Sequence, residues 1–294
     1  MKHFFLFLFA ILPASAVTFQ DDDTVVLLGN TFIERAQKYG HLETALTLAA
    51  DKKNLKFRNL GWSGDTVFGH ARSYFGPPAE GFRRLTADLT ELKPNVVIVC
   101  YGAGAAFKGK DGLTEFIDGY TTLIKMIQSA ANPREIVIVS PPPAESLPSP
   151  MPDMTAHNNN LAQYTKALAG LAKEHGLQFA DFHNTTGSIK GLTDNGLHFT
   201  DKGYEAIAPK FVESLGLKNS AQLGHGSVKA FREAIIAKNK LFFFRWRPAN
   251  ETYLRLFRKH EQGQNVKELP MFDPLIEKSE KDIESLRTSI LALK

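Results

Sequence analysis

Thr24-Val25-Val26-Leu27-Leu28-Gly29-Asn30-Thr31 is an apolar run that stops at a glycine and presents two small polar side chains at the head of a helical pattern, Phe32 to Asp51. A strand feeding directly into a helix is half of a βα unit. In such units the carboxyl end of the strand and the positive N-terminus of the helix converge on one crevice. Thr31 is therefore a candidate nucleophile by position. Asn and Thr are also favoured helix N-caps, so this stretch alone leaves capping and catalysis open.

Four more apolar runs bounded by turn residues read as strands: Leu55 to Leu60, Val96 to Cys100, Ile136 to Val139 and Leu177 to Phe182. Helical patterns separate them, at Gly81 to Leu92, Leu113 to Ala131 and Asn158 to His175, with a last one at Asp201 to Leu215. Alternating strands and helices imply right-handed βαβ units and a parallel sheet. The first, third and fourth runs are continuously apolar and suit central strands, whereas the second and fifth alternate and suit edges. The expectation is a three-layer α/β/α, flavodoxin-like domain over residues 17–216, with a five-stranded parallel sheet in the order 2-1-3-4-5. Its ligand crevice would lie beside the ends of strands one and three.

The chain has 294 residues, 43% of them hydrophobic and 22% charged, as soluble globular proteins do. Lys2-His3, the run Phe4 to Leu12 and Ala14-Ser15-Ala16 have the form of a secretory signal peptide over residues 1–16, cleaved after Ala16. The apolar run is too short to span a bilayer as a helix, so an exported, periplasmic or extracellular protein is expected. Without that leader 34 Lys and Arg face 31 Asp and Glu, an excess too small to suggest nucleic acid as a partner. Cys100 is the only cysteine. It excludes an intramolecular disulfide and reads as a buried small hydrophobe. No His/Asp/Glu cluster has metal spacing, and no cofactor is expected.

Residues 217–294 form a C-terminal helical appendage expected to pack on the domain. Val228 to Phe244 and Pro274 to Leu293 have helical periodicity, and the second carries Ile276, Ile283, Leu286, Ile290 and Leu293 on one face. From His225 to Glu268 ten Lys or Arg face four Glu. This basic, aromatic segment, with Arg245 and Arg247 at its centre, is either a solvated, internally paired surface or a cleft wall that attracts an anionic substrate.

Under the expected strand order four segments meet at the crevice: Gly29-Asn30-Thr31, Ser63-Gly64-Asp65, Tyr101-Gly102-Ala103-Gly104 and Leu192 to Tyr204. In the last, His198 stands in a polar turn with Asp194 and Asn195 just before a capped helix. The blocks Asn59-x-Gly61-x-Ser63-Gly64-x-Thr66, Tyr101-Gly102 and Thr193-Asp194-Asn195-Gly196-Leu197-His198, in this order, resemble those of the SGNH, or GDSL-type, hydrolases. The likeness covers residues 24–215. With Lys238-Asn239, Arg245-Trp246-Arg247-Pro248 and Arg258 to Gly263, the chain is similar in particular to exported members from planctomycetes and verrucomicrobia.

The resemblance implies an ester hydrolase, a carbohydrate deacylase in expectation, acting on a small-molecule or polysaccharide ester. It places the family's nucleophile at Thr31, a backbone oxyanion donor at Gly64, the side-chain oxyanion donor at Gly104, the base at His198 and the acid orienting it at Asn195. Asn30, Gly104, Arg245 and Arg247 are candidate substrate contacts. Three positions depart from the family pattern. Threonine adds a methyl to the nucleophile and needs its own activating base, Gly104 has no carboxamide, and Asn195 has no charge. Asp194 is placed to take over the orienting role. The alternative is a degenerate domain that binds a glycan or serves as a scaffold.

Overall fold

The computed structural model describes residues 16–218 and 226–292. The expected signal peptide, apart from Ala16, lies outside the described residues, as does Leu293. Five parallel strands, β1 (Thr24–Gly29), β2 (Lys56–Asn59), β3 (Val96–Cys100), β4 (Glu135–Val139) and β5 (Gln178–Ala180), pair in the order β2-β1-β3-β4-β5. This is the order that the apolar continuity of strands one, three and four implies. Their side chains divide by the pleat. Val25, Leu27, Val96 and Ile98 face one core, which α1 (Thr31–Tyr39), α2 (His41–Ala49) and α7 (Asp201–Ser214) cover. Val26, Leu28, Val97 and Val99 face the other, covered by α3 (Pro78–Leu92), α4 (Leu113–Ala131) and α5 (Thr155–Glu174). Gly29 lies level with Cys100 across the β1–β3 register, so the loops leaving both strands open at one height.

Local chemistry shifts several boundaries. The pattern from Phe32 to Asp51 is two helices, because Gly40 takes φ +73° and caps α1 through a bond from its N–H to the Ala36 carbonyl. A left-handed residue ends a helix, and glycine does so at no steric cost. Helix α3 starts three residues earlier than its periodicity suggests, because Pro78 at its head needs no N–H partner. Leu177 and Phe182 lie outside β5, and Phe182 opens the short α6 (Phe182–Thr186).

The appendage comprises α8 (Gly226–Trp246), α9 (Glu251–Leu254), α10 (Lys259–Gln262), a 3-10 segment over Gly263–Phe272 and α11 (Asp273–Leu291). It shares the core with the sheet domain. Phe242 and Ile276 join the cluster under α3 and α4, while Val228, Phe231, Ile235, Ile283 and Ile290 close over Leu48 of α2. Beside them an ion pair is buried in the seam. Lys238 Nζ, 1% exposed, donates to Glu43 Oε1 at 2.6 Å, Asn239 Oδ1 at 2.8 Å and the Phe57 carbonyl at 3.2 Å, and Asn239 Nδ2 reaches the second oxygen of Glu43 at 2.8 Å. Every ammonium proton is satisfied, which makes so dry a charge tolerable. Lys238→Met is expected to strand the Glu43 carboxylate and cost about 3–5 kcal/mol in chemical denaturation. The double variant Lys238→Met/Glu43→Leu should recover most of that loss.

Candidate active site

A cavity of about 430 Å³ opens at the carboxyl ends of β1 and β3, and Thr31, Gly64, Gly104 and His198 all line it, with Asn30 at its edge. The rest of the wall is mostly apolar, from Val67, Phe68, Phe116, Pro142 and Leu161. Asn30 is the N-cap of α1: its Oδ1 accepts from Phe32 N–H at 3.2 Å. With the cap supplied by Asn30, the hydroxyl of Thr31 is left to face the cavity, where it accepts from Gly64 N–H at 3.1 Å. Gly64 has φ +74° and no atom within 4 Å of where a Cβ would stand, and its N–H is turned to the Thr31 hydroxyl.

The loop that presents Gly64 is held from below. The Asp65 carboxylate is buried and accepts from Arg72 Nε at 2.7 Å, Tyr101 OH at 2.8 Å and Ala71 N–H at 3.2 Å. Arg72 also donates to the Leu60 carbonyl at 2.6 Å. A second buried acid supports the opposite wall. Glu145 accepts from the N–H groups of Gly191, Leu192 and Thr193 and from Thr193 Oγ1 at 2.7 Å, and so fixes the turn that carries His198. Burial opposes ionisation of Glu145, but these donors outweigh it and hold the carboxyl below the usual range. Nothing in the local sequence around Glu145 signals this role, because its partners lie about fifty residues away.

The orientation of His198 follows from hydrogen-bond bookkeeping. Asn195 Oδ1 accepts from the backbone N–H groups of Leu197 at 3.1 Å and His198 at 2.8 Å. Backbone N–H groups only donate, so the amide's NH2 end is the one that faces His198 Nδ1, at 3.1 Å. Nδ1 must then accept, and the neutral ring carries its proton on Nε2. A carboxylate at 195 would favour the opposite tautomer. Asp194 Oδ1 stands 3.9 Å from Nδ1, while its other oxygen pairs with Arg35 at 2.9 Å. Asp194 and Asn195 thus stand behind His198 rather than in the cavity wall. Among the described residues Thr31 and His198 share the cavity without a hydrogen bond between them.

Arg245 and Arg247 do not line the cavity, which corrects their placement as substrate contacts. Arg245 pairs with Glu91 at 2.8 Å and Asp273 at 3.0 Å. Arg247 lies 3.7 Å over the Trp62 ring and pairs with Glu34, whose same oxygen accepts from Ser63 N–H. Arg232, Lys238, Arg245 and Arg247 of the basic segment pair with acids of the sheet domain, and Arg247 braces the Gly64 loop from outside. His70 enters the cavity instead, its Nδ1 2.9 Å from Thr66 Oγ1, and Lys108 and Glu115 pair at 2.7 Å in its wall. A lone histidine in a long loop carries no pattern that would have singled it out. Cys100 is buried and burial pushes its thiol up to about 12, so it stays protonated. Among the described residues no His, Cys, Asp and Glu side chains group with metal-site spacing, and no helix is long and apolar enough to cross a membrane.

A family model described as GDSL-like lipase/acylhydrolase matches residues 34–206. Among solved structures, an acetylxylan esterase from Geobacillus stearothermophilus superposes with a TM-score of 0.52 at 15% identity, over 69% of this chain and 98% of its own. A protein from Parabacteroides merdae assigned as a GDSL-like lipase gives 0.56 at 15%, over 69% and 100%. A gut microbial diltiazem-metabolizing enzyme gives 0.62 at 11%, over 95% of each chain, so that likeness of fold runs through the appendage. No curated protein sequence matches the chain.

Glu145→Gln turns an acceptor-only group into one that presents an NH2 to donors. It should cost about 2 kcal/mol at pH 7. Because the folded-state carboxyl titrates below its unfolded value, the stabilisation is complete above the ordinary glutamate range and is lost as pH falls through the lower folded value. Urea melts at pH 7 and pH 3 should therefore differ between wild type and variant by a gap that narrows towards acid.

Proposed function

The chain belongs to the GDSL-like lipase/acylhydrolase family, and from that membership we propose that it hydrolyses carboxylic esters with a short acyl group, using Thr31 as nucleophile. The observation that carries this reading is the meeting of a hydroxyl at the head of α1, the Gly64 N–H bonded to it and the His198 ring on one largely apolar cavity. Its volume of about 430 Å³ suits a small acyl group and part of its alcohol. Thr31 Oγ1 attacks the acyl carbon and gives its proton to Nε2 of His198 in the minor tautomer that leaves this nitrogen free. The developing oxyanion takes the N–H of Gly64, and the alcohol leaves with a proton returned by His198. Water then cleaves the threonyl ester by the same route.

Two departures make this a slow catalyst. Gly104 supplies no side-chain donor, and such a loss costs about 10² to 10³ in turnover. The Asn195 amide disfavours the tautomer in which Nε2 is the free base, and the corresponding loss in a protease triad is about 10⁴. These costs do not multiply. A carbohydrate ester is the favoured substrate, by analogy with the acetylxylan esterase that shares the fold. The C-terminal blocks Lys238-Asn239 and Arg245 to Pro248 support a place among exported planctomycete and verrucomicrobial members, and residues 1–16 support export. The Asn195 amide against Nδ1 favours one second reading, in which the cavity binds the ester without turning it over.

Release of acetate from p-nitrophenyl acetate and from acetylated xylan should fall about 10²-fold or more in Thr31→Ala and His198→Ala. Rates equal to wild type would remove both residues from the mechanism. Asn195→Asp should raise turnover by up to about 10⁴-fold and Gly104→Asn by about 10² to 10³. Gly104 has helical dihedrals and no atom within 4 Å of the added Cβ, so the backbone there accepts a side chain without strain.

A further inference from the structure

The cavity holds a second imidazole that has no task in the steps above. His70 lines it together with Thr31 and His198. Its Nδ1 stands 2.9 Å from Thr66 Oγ1, which also accepts from the Phe68 N–H at 3.2 Å, and its ring packs on the Phe68 ring at 5.4 Å. Phe68 is seated in turn on α4, where Gly119 leaves room: a Cβ there would stand 2.6 Å from the Phe68 ring. Thr66 and Phe68 thus fix one edge of the His70 ring. Among the described residues its other nitrogen, Nε2, has no partner.

The two imidazoles differ in what holds Nδ1. At His198 the partner is an amide NH2, which only donates, so Nδ1 accepts and Nε2 carries the proton. At His70 the partner is a hydroxyl. Its oxygen has two lone pairs, one for the Phe68 N–H and one for an Nδ1–H, so His70 can present a bare Nε2 with its anchoring hydrogen bond intact. The surroundings suit a base that handles water. His70, Lys108 and Glu115 are exposed, whereas Val67, Phe116 and Leu161 of the same cavity are buried. Solvent therefore enters on the His70 side, and an apolar acyl group is drawn to the other. The Lys108 bond at 2.7 Å holds the Glu115 carboxyl below the usual range, and this anion lies within Coulombic reach of His70, where it favours the imidazolium that proton uptake creates.

We propose that His70 is the general base of deacylation, taking at Nε2 the proton of the water that attacks the acyl group on Thr31. The assignment rests on the reading of Thr31 as nucleophile. As the water oxygen bonds to the acyl carbon, one of its protons passes to Nε2. The tetrahedral intermediate then collapses, the bond from the acyl carbon to Oγ1 breaks, and the imidazolium returns the proton to Oγ1. The free acid, the Thr31 hydroxyl and a neutral His70 remain. His198 keeps the first half-reaction, and the second follows the same addition and collapse with its proton on the other ring.

p-Nitrophenyl acetate has a good leaving group, so removal of acetyl from Thr31 is its slow half. His70 is exposed, and His70→Ala leaves the core untouched. In this variant the first equivalent of p-nitrophenol should appear at the wild-type rate while steady turnover falls about 10²-fold. Because only the second half-reaction is slowed, kcat and KM should fall together with kcat/KM unchanged. Mass spectrometry of the quenched variant should find acetyl on Thr31, and added imidazole should restore turnover. His198→Ala should instead lower kcat/KM and give no burst. In long-range 1H–15N spectra of the full chain near pH 8, the His70 ring should show an Nδ1–H form and the His198 ring Nε2–H. Turnover equal to wild type in His70→Ala, a loss of kcat/KM there, or a His70 ring protonated only on Nε2 overturns the assignment. A wild type that releases no acetate and takes no acetyl on Thr31 unseats the esterase and this base with it, whereas an acetyl-enzyme that His70→Ala does not prolong unseats the base alone.

Discussion

The dry carboxylate of Asp65 is the constraint on which the cavity depends. Three donors reach it, from Arg72, Tyr101 and Ala71, and one of them stands at the end of β3. An unpaired charge at that depth would be prohibitive, so the loop after β2 has few ways to lie. Gly64 therefore stands with its N–H on the Thr31 hydroxyl. Glu145 does the same for the far wall, collecting backbone donors from residues 191–193 so that His198 enters from a fixed turn. Two buried acids, neither facing the reacting centre, position the groups that do.

That support is complete where the chemistry it serves has changed. At 104 the space around an added Cβ is empty, and at 195 an aspartate would be isosteric with the asparagine present. The chain has a glycine with empty space at one and an amide with its NH2 turned to the imidazole at the other. A geometry this well braced and this weakly equipped fits slow turnover of an ester, and it also fits a site whose main work is holding one. The difference between the two lies in which nitrogen of His198 carries the proton, and a single side chain sets it.

The appendage belongs to the same mechanical unit. Lys238 and Glu43 lock α8 to α2, while Arg247 lies on Trp62 and shares Glu34 with the backbone of Ser63. The basic excess of this segment is thus largely consumed by acids of the sheet domain and serves alignment rather than substrate attraction. Where it meets α3 a small cavity is walled by Trp62, Tyr74 and Trp246 together with arginine–carboxylate pairs.

How much could be read in advance followed from the range of the interactions involved. Periodicity and apolar continuity are local, and they determined the five strands, their order and the crevice at the ends of β1 and β3. The motif blocks likewise named Thr31, Gly64, Gly104 and His198, which the fold brings onto one cavity, and the two residues behind His198. Helix breaks such as Gly40 were blurred, because a left-handed glycine leaves hydrophobic periodicity almost unchanged. Tertiary structure alone decided the charge partners. Whether Arg247 reaches a ligand or Glu34, and whether Glu145 is a surface acid or the anchor of a distant turn, depend on groups as far as 213 residues away. The energy of a buried charge depends on what surrounds it in space, and a linear sequence does not contain that information locally.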